Sequence, residues 1–121
     1  MHGQDENLLT YIVALWVLPI GVGIIPKTEQ EARLSHLLKF LKANFGFLSD
    51  QYLVDLFNGA IAGGNSLDGL CRKIVKQFSH EDRLSIVVAY WNIMRSYNGC
   101  SEKDVELIKT VCSWLGVDKP S

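Results

Sequence analysis

Residues 8–25 read LLTYIVALWVLPIGVGII, a run without a single charge, and how that run is understood decides the fold. Its length lies near the lower limit for a membrane-spanning helix. Pro19 removes a backbone donor inside it, Gly21 and Gly23 follow at once, and Thr10 and Tyr11 dilute its apolar character. No Lys or Arg precedes the run. Asp5 and Glu6 stand there instead, so the positive flank of a signal peptide or anchor is missing, and the two carboxylates suit the positive end of a helix dipole. The expectation is a buried core helix over about 6–18 that stops at Pro19. A membrane anchor formed by residues 8–25 is the alternative.

The rest of the composition bounds the answer further. A chain of 121 residues has room for one domain, 1–121, and 48% apolar against 21% charged residues describes a sequence that folds around a core. Twelve basic and thirteen acidic side chains leave a net charge of -1, so no strong field gathers nucleic acid, and none is expected as a partner. Three cysteines, at 71, 100 and 112, form no CxxC pair and fit a reduced, cytoplasmic protein.

Beyond residue 25, Ser and Thr recur ahead of helical apolar stripes, often with an acid three residues later. Thr28 with Glu31 opens a stripe of Leu34, Leu37, Leu38, Leu41 and Phe45 that stops at Gly46. Ser49 precedes Leu53, Leu56, Phe57, Ala60 and Ile61, ending at Gly63 and Gly64. Ser66 starts a shorter helix through Leu67, Leu70, Cys71, Ile74 and Val75. Ser79 with Asp82 opens Leu84, Val87, Val88, Trp91 and Met94, up to Asn98 and Gly99. Ser101 with Asp104 begins the last helix, in which Val105, Ile108, Val111, Cys112 and Leu115 face inward before Gly116. The fold class is all-α, a compact bundle of about six helices.

The two ends of the chain repeat one another. Val13-Ala14-Leu15-Trp16 matches Val88-Ala89-Tyr90-Trp91, each followed by a loop, a cap and an amphipathic helix; Thr28-x-x-Glu31 then corresponds to Ser101-x-x-Asp104, and Leu34 to Leu107. Two pseudo-symmetric helical hairpins related this way bury apolar surface that neither covers alone. The repeat places residues 8–18 in the core, where a helix apolar around most of its girth belongs.

This arrangement resembles a TerB-like domain, the all-helical module of tellurite-resistance proteins and of some J-domain co-chaperones, and residues 83–117, RLSIVVAYWNIMRSYNGCSEKDVELIKTVCSWLGV, carry the likeness best. The resemblance implies a non-catalytic intracellular module that binds another protein, linked to stress responses and to envelope-associated complexes near the membrane. It also implies acidic loops that hold a divalent cation such as calcium in some members. Carried onto this chain, the cation candidates are Asn98, Glu102, Asp104 and Glu106 in one copy and Glu29 and Glu31 in the other. The family's Asp before Gly is Asn98 here, and residues 19–26 contain no acid. A hard cation wants six or more oxygens, whereas acids in a first helical turn cap amides and complement the dipole, so structural roles are expected for them and no cofactor is assigned.

No catalytic constellation is visible. HxxxH and HExxH spacings are missing, and Gly59-x-x-x-Gly63-Gly64 lacks the Lys of a phosphate loop. His36 and His80 read as surface residues, and Cys71 and Cys112 as small apolar ones. Cys100, close to a helix start, is the thiol whose position could lower its pKa, which makes a small redox sensor or enzyme a further alternative. Arg72, Lys73 and Lys76 form a basic turn, and Tyr90 and Tyr97 bracket the polar side of the second hairpin; these five are the partner-facing candidates. Trp16, Trp91 and Trp114 read as core.

Overall fold

The computed structural model describes residues 3–45, 49–62, 66–97 and 100–120. Those residues form six α-helices and one short 3₁₀ turn, with no strand among them. In chain order they are α1 (Gly3–Gly21), the 3₁₀ turn (Lys27–Glu29), α2 (Gln30–Phe45), α3 (Asp50–Ala62), α4 (Leu67–Gln77), α5 (His80–Ser96) and α6 (Glu102–Leu115). The stops expected at Gly46, at Gly63 and Gly64, and at Asn98 and Gly99 lie outside the described residues. The side chains of Phe45, Phe57, Ala60 and Ile61 lie outside them as well.

The uncharged run is the centre of the molecule. α1 packs against α2, α3, α4 and α5. Leu9, Ile12, Val13, Leu15, Trp16, Val17, Leu18 and Ile20 are all buried, on every side of the helix. No helix among the described residues is long and apolar enough to cross a membrane. The anchor reading of residues 8–25 therefore gives way to core packing.

One boundary differs from expectation. α1 does not stop at Pro19 but carries it inside and ends at Gly21. Proline has no N–H to give the carbonyl four residues back, here that of Leu15, so α1 carries Pro19 with one helical hydrogen bond fewer and ends two residues later. The freed chain end folds back through Ile24 and Ile25, whose N–H groups both donate to the Pro19 carbonyl at 2.9 and 3.0 Å. Gly23, at φ 84°, supplies the left-handed step.

Four serines open helices as the sequence predicts. Ser49 accepts the Tyr52 N–H, Ser66 that of Gly69 and Ser79 that of Asp82, at 3.1, 3.2 and 3.2 Å. Ser101 and Asp104 form a capping box at the start of α6. Thr28 does not cap. It lies within the 3₁₀ turn that leads into α2, and Pro26, which heads that turn, offers no side-chain acceptor. α6 ends as expected, with Gly116 left-handed at φ 69° and the Val117 N–H returning to the Cys112 carbonyl at 3.1 Å.

Some faces are rotated from the predicted stripes. α5 buries Ile86, Val87, Tyr90, Ile93 and Met94, leaving Leu84 and Val88 exposed at 38% and 39%. Val75 and Trp114 are also exposed, at 40% and 45%. The reason is common to all: a hydrophobic face wider than the contact strip leaves its outer edge in solvent, and apolarity alone does not say which edge.

Candidate functional site

The buried charged side chains of the described residues, Arg33 and Asp104, meet where α1, α2, α6 and the end of α5 come together. At the centre is Arg33 on α2, only 1% exposed. Its Nε donates to Glu29 Oε1 at 3.3 Å, one helical turn back, and its Nη2 donates to Asp104 Oδ2 on α6 at 2.9 Å. The same carboxylate oxygen accepts the Ser101 N–H at 3.1 Å and the Ser101 hydroxyl at 3.3 Å. Asp104 is thus both the helix cap and the anion of a buried ion pair, and its Oδ1 has no hydrogen-bond partner.

Aromatic rings enclose the guanidinium. Its carbon lies 4.7 Å from the centre of the Trp16 ring and 5.0 Å from that of Tyr97. The two rings meet edge to face, 5.5 Å apart. His36, one turn beyond Arg33, leans on both rings, with centroids 5.3 Å from Tyr97 and 6.0 Å from Trp16. Its Nε2 lies 2.8 Å from the Ile93 carbonyl and 3.0 Å from the Ser96 hydroxyl. A carbonyl can only accept, so Nε2 carries the hydrogen. Trp16 completes the ring of contacts by donating its Nε1–H to the Arg33 carbonyl at 3.0 Å.

The electrostatics follow from this enclosure. Burial works to lower the Arg33 pKa, but the hydrogen bond and charge of Asp104, helped by Glu29, outweigh it and raise the value above the ordinary one. Burial pushes the Tyr97 hydroxyl up, Arg33 opposes that, and Glu29 and Asp104 add to it. The guanidinium keeps its proton, and the Asp104 carboxylate accepts from three donors. What the cluster can do is hold the N-terminal helices to the C-terminal ones.

The predicted cation ligands are dispersed or already engaged. Glu29 and Asp104 meet on Arg33 rather than on each other. Glu31 is exposed, and Glu106 pairs with Lys109 at 3.6 Å. Glu102 and Glu106 border an open groove of about 440 Å³ beside Ile24, Leu107 and Thr110. Asn98 lies outside the described residues. Among the described residues no three His, Cys, Asp or Glu side chains gather into a group that could hold a metal ion.

Other expectations need correction. Tyr90, read as partner-facing, is 1% exposed and its hydroxyl is pushed far up by burial. Tyr97 is half-buried against the arginine. His36, read as a surface residue, is a bridge between α2 and α5. The Cys100 thiol is exposed but is pushed up, by desolvation first and the Asp104 charge second, which is the opposite of an acidic thiolate. Cys71 and Cys112 are buried as expected, and burial drives the Cys71 thiol up to about 12. Of the basic turn, Arg72 pairs with Asp68 at 2.7 Å on the surface, and Lys73 and Lys76 are exposed.

Arg33 itself was missed by sequence reasoning. Its signal is weak but real: a cation set beside an apolar stripe, with Glu29 four residues before it. Nothing local marks its decisive partner, 71 residues away. Comparisons with protein-family models, with curated proteins and with solved structures return no match.

Proposed function

We propose that this chain is a non-catalytic helical interaction module of TerB-like type that binds another protein. The observation that carries this reading is a division of labour. The buried polar side chains of the Arg33 cluster are spent on one another, while the outer faces keep apolar residues uncovered. Between α2 and α5 an open groove of about 510 Å³ is bordered by Phe40, Leu84, Val88 and Ala89, with Asn44, Ser85 and Asn92 along it. Leu84 and Val88 stand one helical turn apart, the spacing at which an amphipathic helix of a partner presents its own apolar side chains. The basic turn of Arg72, Lys73 and Lys76 on α4 is a second face for an acidic partner. Stress- and envelope-associated complexes near the membrane are where the TerB-like reading places that partner.

The test compares two surface variants with the parent in an affinity capture read by mass spectrometry. Leu84→Glu with Val88→Glu is expected to lose a specific partner that Arg72→Glu with Lys76→Glu retains, with melting temperatures unchanged within a few degrees. Retention of every captured protein by both variants would overturn the reading.

A further inference from the structure

Among the described residues, two of the three buried polar side-chain atoms without a hydrogen-bond partner are donors on α5, Arg83 Nε and Trp91 Nε1. The segment that follows α6 passes near both. Arg83 Nη1 donates to the Leu115 carbonyl at 2.6 Å, and Lys119 Nζ lies 4.2 Å from the centre of the Trp91 ring. Arg83 and Trp91 are eight residues apart, about 12 Å along a helix, so the last residue of α6 and Lys119 meet α5 at two separate points.

Its attachment is uneven. Gly116 and Val117 belong to the turn that ends α6, with the Val117 N–H bonded to Cys112 and its side chain 8% exposed. Residues 118–120 make no backbone hydrogen bond to the rest of the described chain. Among the described residues their side-chain contact with α5 is the ammonium of exposed Lys119 on the indole face, and a cation–π contact at an exposed site favours the closed state by only about two- to fivefold. The Trp91 indole N–H is shielded from water with no acceptor, which weighs against whatever packing covers it.

We propose that residues 118–120 are a strap hinged just after Val117 and latched by Lys119, which opens while the rest of the fold stays closed and so controls the exposure of Trp91. Trp91 follows Leu84 and Val88 at i+7 and i+3, so opening extends the exposed apolar ridge of α5 by its largest side chain. The other matched tryptophan is the internal control, because the Trp16 indole N–H is buried and bonded to Arg33.

The test is solvent exchange of the indole N–H resonances, assigned with Trp91→Phe and Trp114→Phe. In the parent protein the Trp91 signal is expected to exchange faster than that of Trp16. Lys119→Ala should accelerate Trp91 a further two- to fivefold, leave Trp16 and the melting temperature unchanged, and be reversed by Lys119→Arg. Trp91 exchange unaffected by Lys119→Ala, or equal acceleration at Trp91 and Trp16, would overturn the strap.

Discussion

The hairpin α1–α2 and the hairpin α5–α6 carry one sequence pattern and put it to different uses. In the first, Trp16 is 1% exposed and donates to a main-chain carbonyl; its counterpart Trp91 is half-buried and its indole N–H has no acceptor. In the second, Ser101 and Asp104 cap the helix; their counterparts are Thr28, set within a 3₁₀ turn, and Glu31, exposed to solvent. In the register that pairs Leu34 with Leu107, Arg33 corresponds to Glu106, so each copy contributes one member of the buried ion pair and leaves the matching position on the surface. The pattern repeats at the level of caps and stripes, while burial is assigned by position in the bundle. α1 became the central helix because it is apolar all round, whereas α5 keeps a solvent face.

The strongest way to break this complementarity is to remove one member of the pair. With both side chains 2% exposed or less, Arg33→Met leaves a buried carboxylate without its cation, and Asp104→Leu leaves the buried arginine with Glu29 alone while also deleting the cap. Each is expected to cost about 3–5 kcal/mol in urea unfolding, and the double variant should recover most of the loss, since apolar replacement of a buried pair is often neutral. Equal and additive losses would mean that the two residues act separately.

The tryptophans come next. Trp16→Ala is expected to cost about 3–5 kcal/mol, the range for a large ring removed from a core. Trp91→Ala should cost less than half of that, because part of its surface already faces solvent. Calorimetric melting of both variants would show whether the two positions differ in weight as they differ in burial.

High pH separates the halves differently. The groups pushed furthest up by burial, Cys71 and Tyr90, both lie in the α4–α6 half. Cys71 ordinarily titrates near 9 and here at about 12, so its contribution is intact below pH 9, where the thiol is neutral in both states. Above 9 the unfolded chain loses the proton first, and stability falls by about 1.4 kcal/mol per pH unit up to about 12. Tyr90 steepens the fall above pH 10. Cys71→Ala should melt lower at neutral pH yet show a shallower decline between pH 9 and 11.

Much of the architecture was legible because it is written in local terms. Ser49, Ser66, Ser79 and Ser101 announce helices through side chains that reach only three residues ahead, and a helix apolar on all sides has only the interior to occupy. The Arg33 cluster was not legible because its geometry is assembled from α1, α2, α6 and the end of α5. A lone Arg33 or His36 looks like any solvated residue until the far end of the chain closes over it. The rotated faces of α5 and α6 failed for a related reason. Leu84, Val88 and Trp114 are as apolar as their buried neighbours, and only the crossing of helices decides which are covered.

The smallest expected effect addresses the caps themselves. Ser101 offers its N–H and hydroxyl to a carboxylate that also holds Arg33; Ser101→Ala keeps the first and removes the second, which loosens the start of α6 and the orientation of Asp104. Ser101→Ala is therefore expected to cost about 1 kcal/mol, near the middle of the range for a cap. Thr28→Ala, at the matching position of the first copy, removes no cap and should stay within about 0.5 kcal/mol, as surface substitutions do. In Asp104→Asn the acceptor geometry survives but the charge does not, and the Ser101→Ala penalty measured in that background sharpens the contrast. If the cap acts only on α6, the penalty is unchanged by the second substitution. If it also positions the anion for Arg33, the penalty shrinks once there is no anion to position, and part of the ion pair between the hairpins then depends on a serine hydroxyl whose counterpart in the first copy, Thr28, caps nothing.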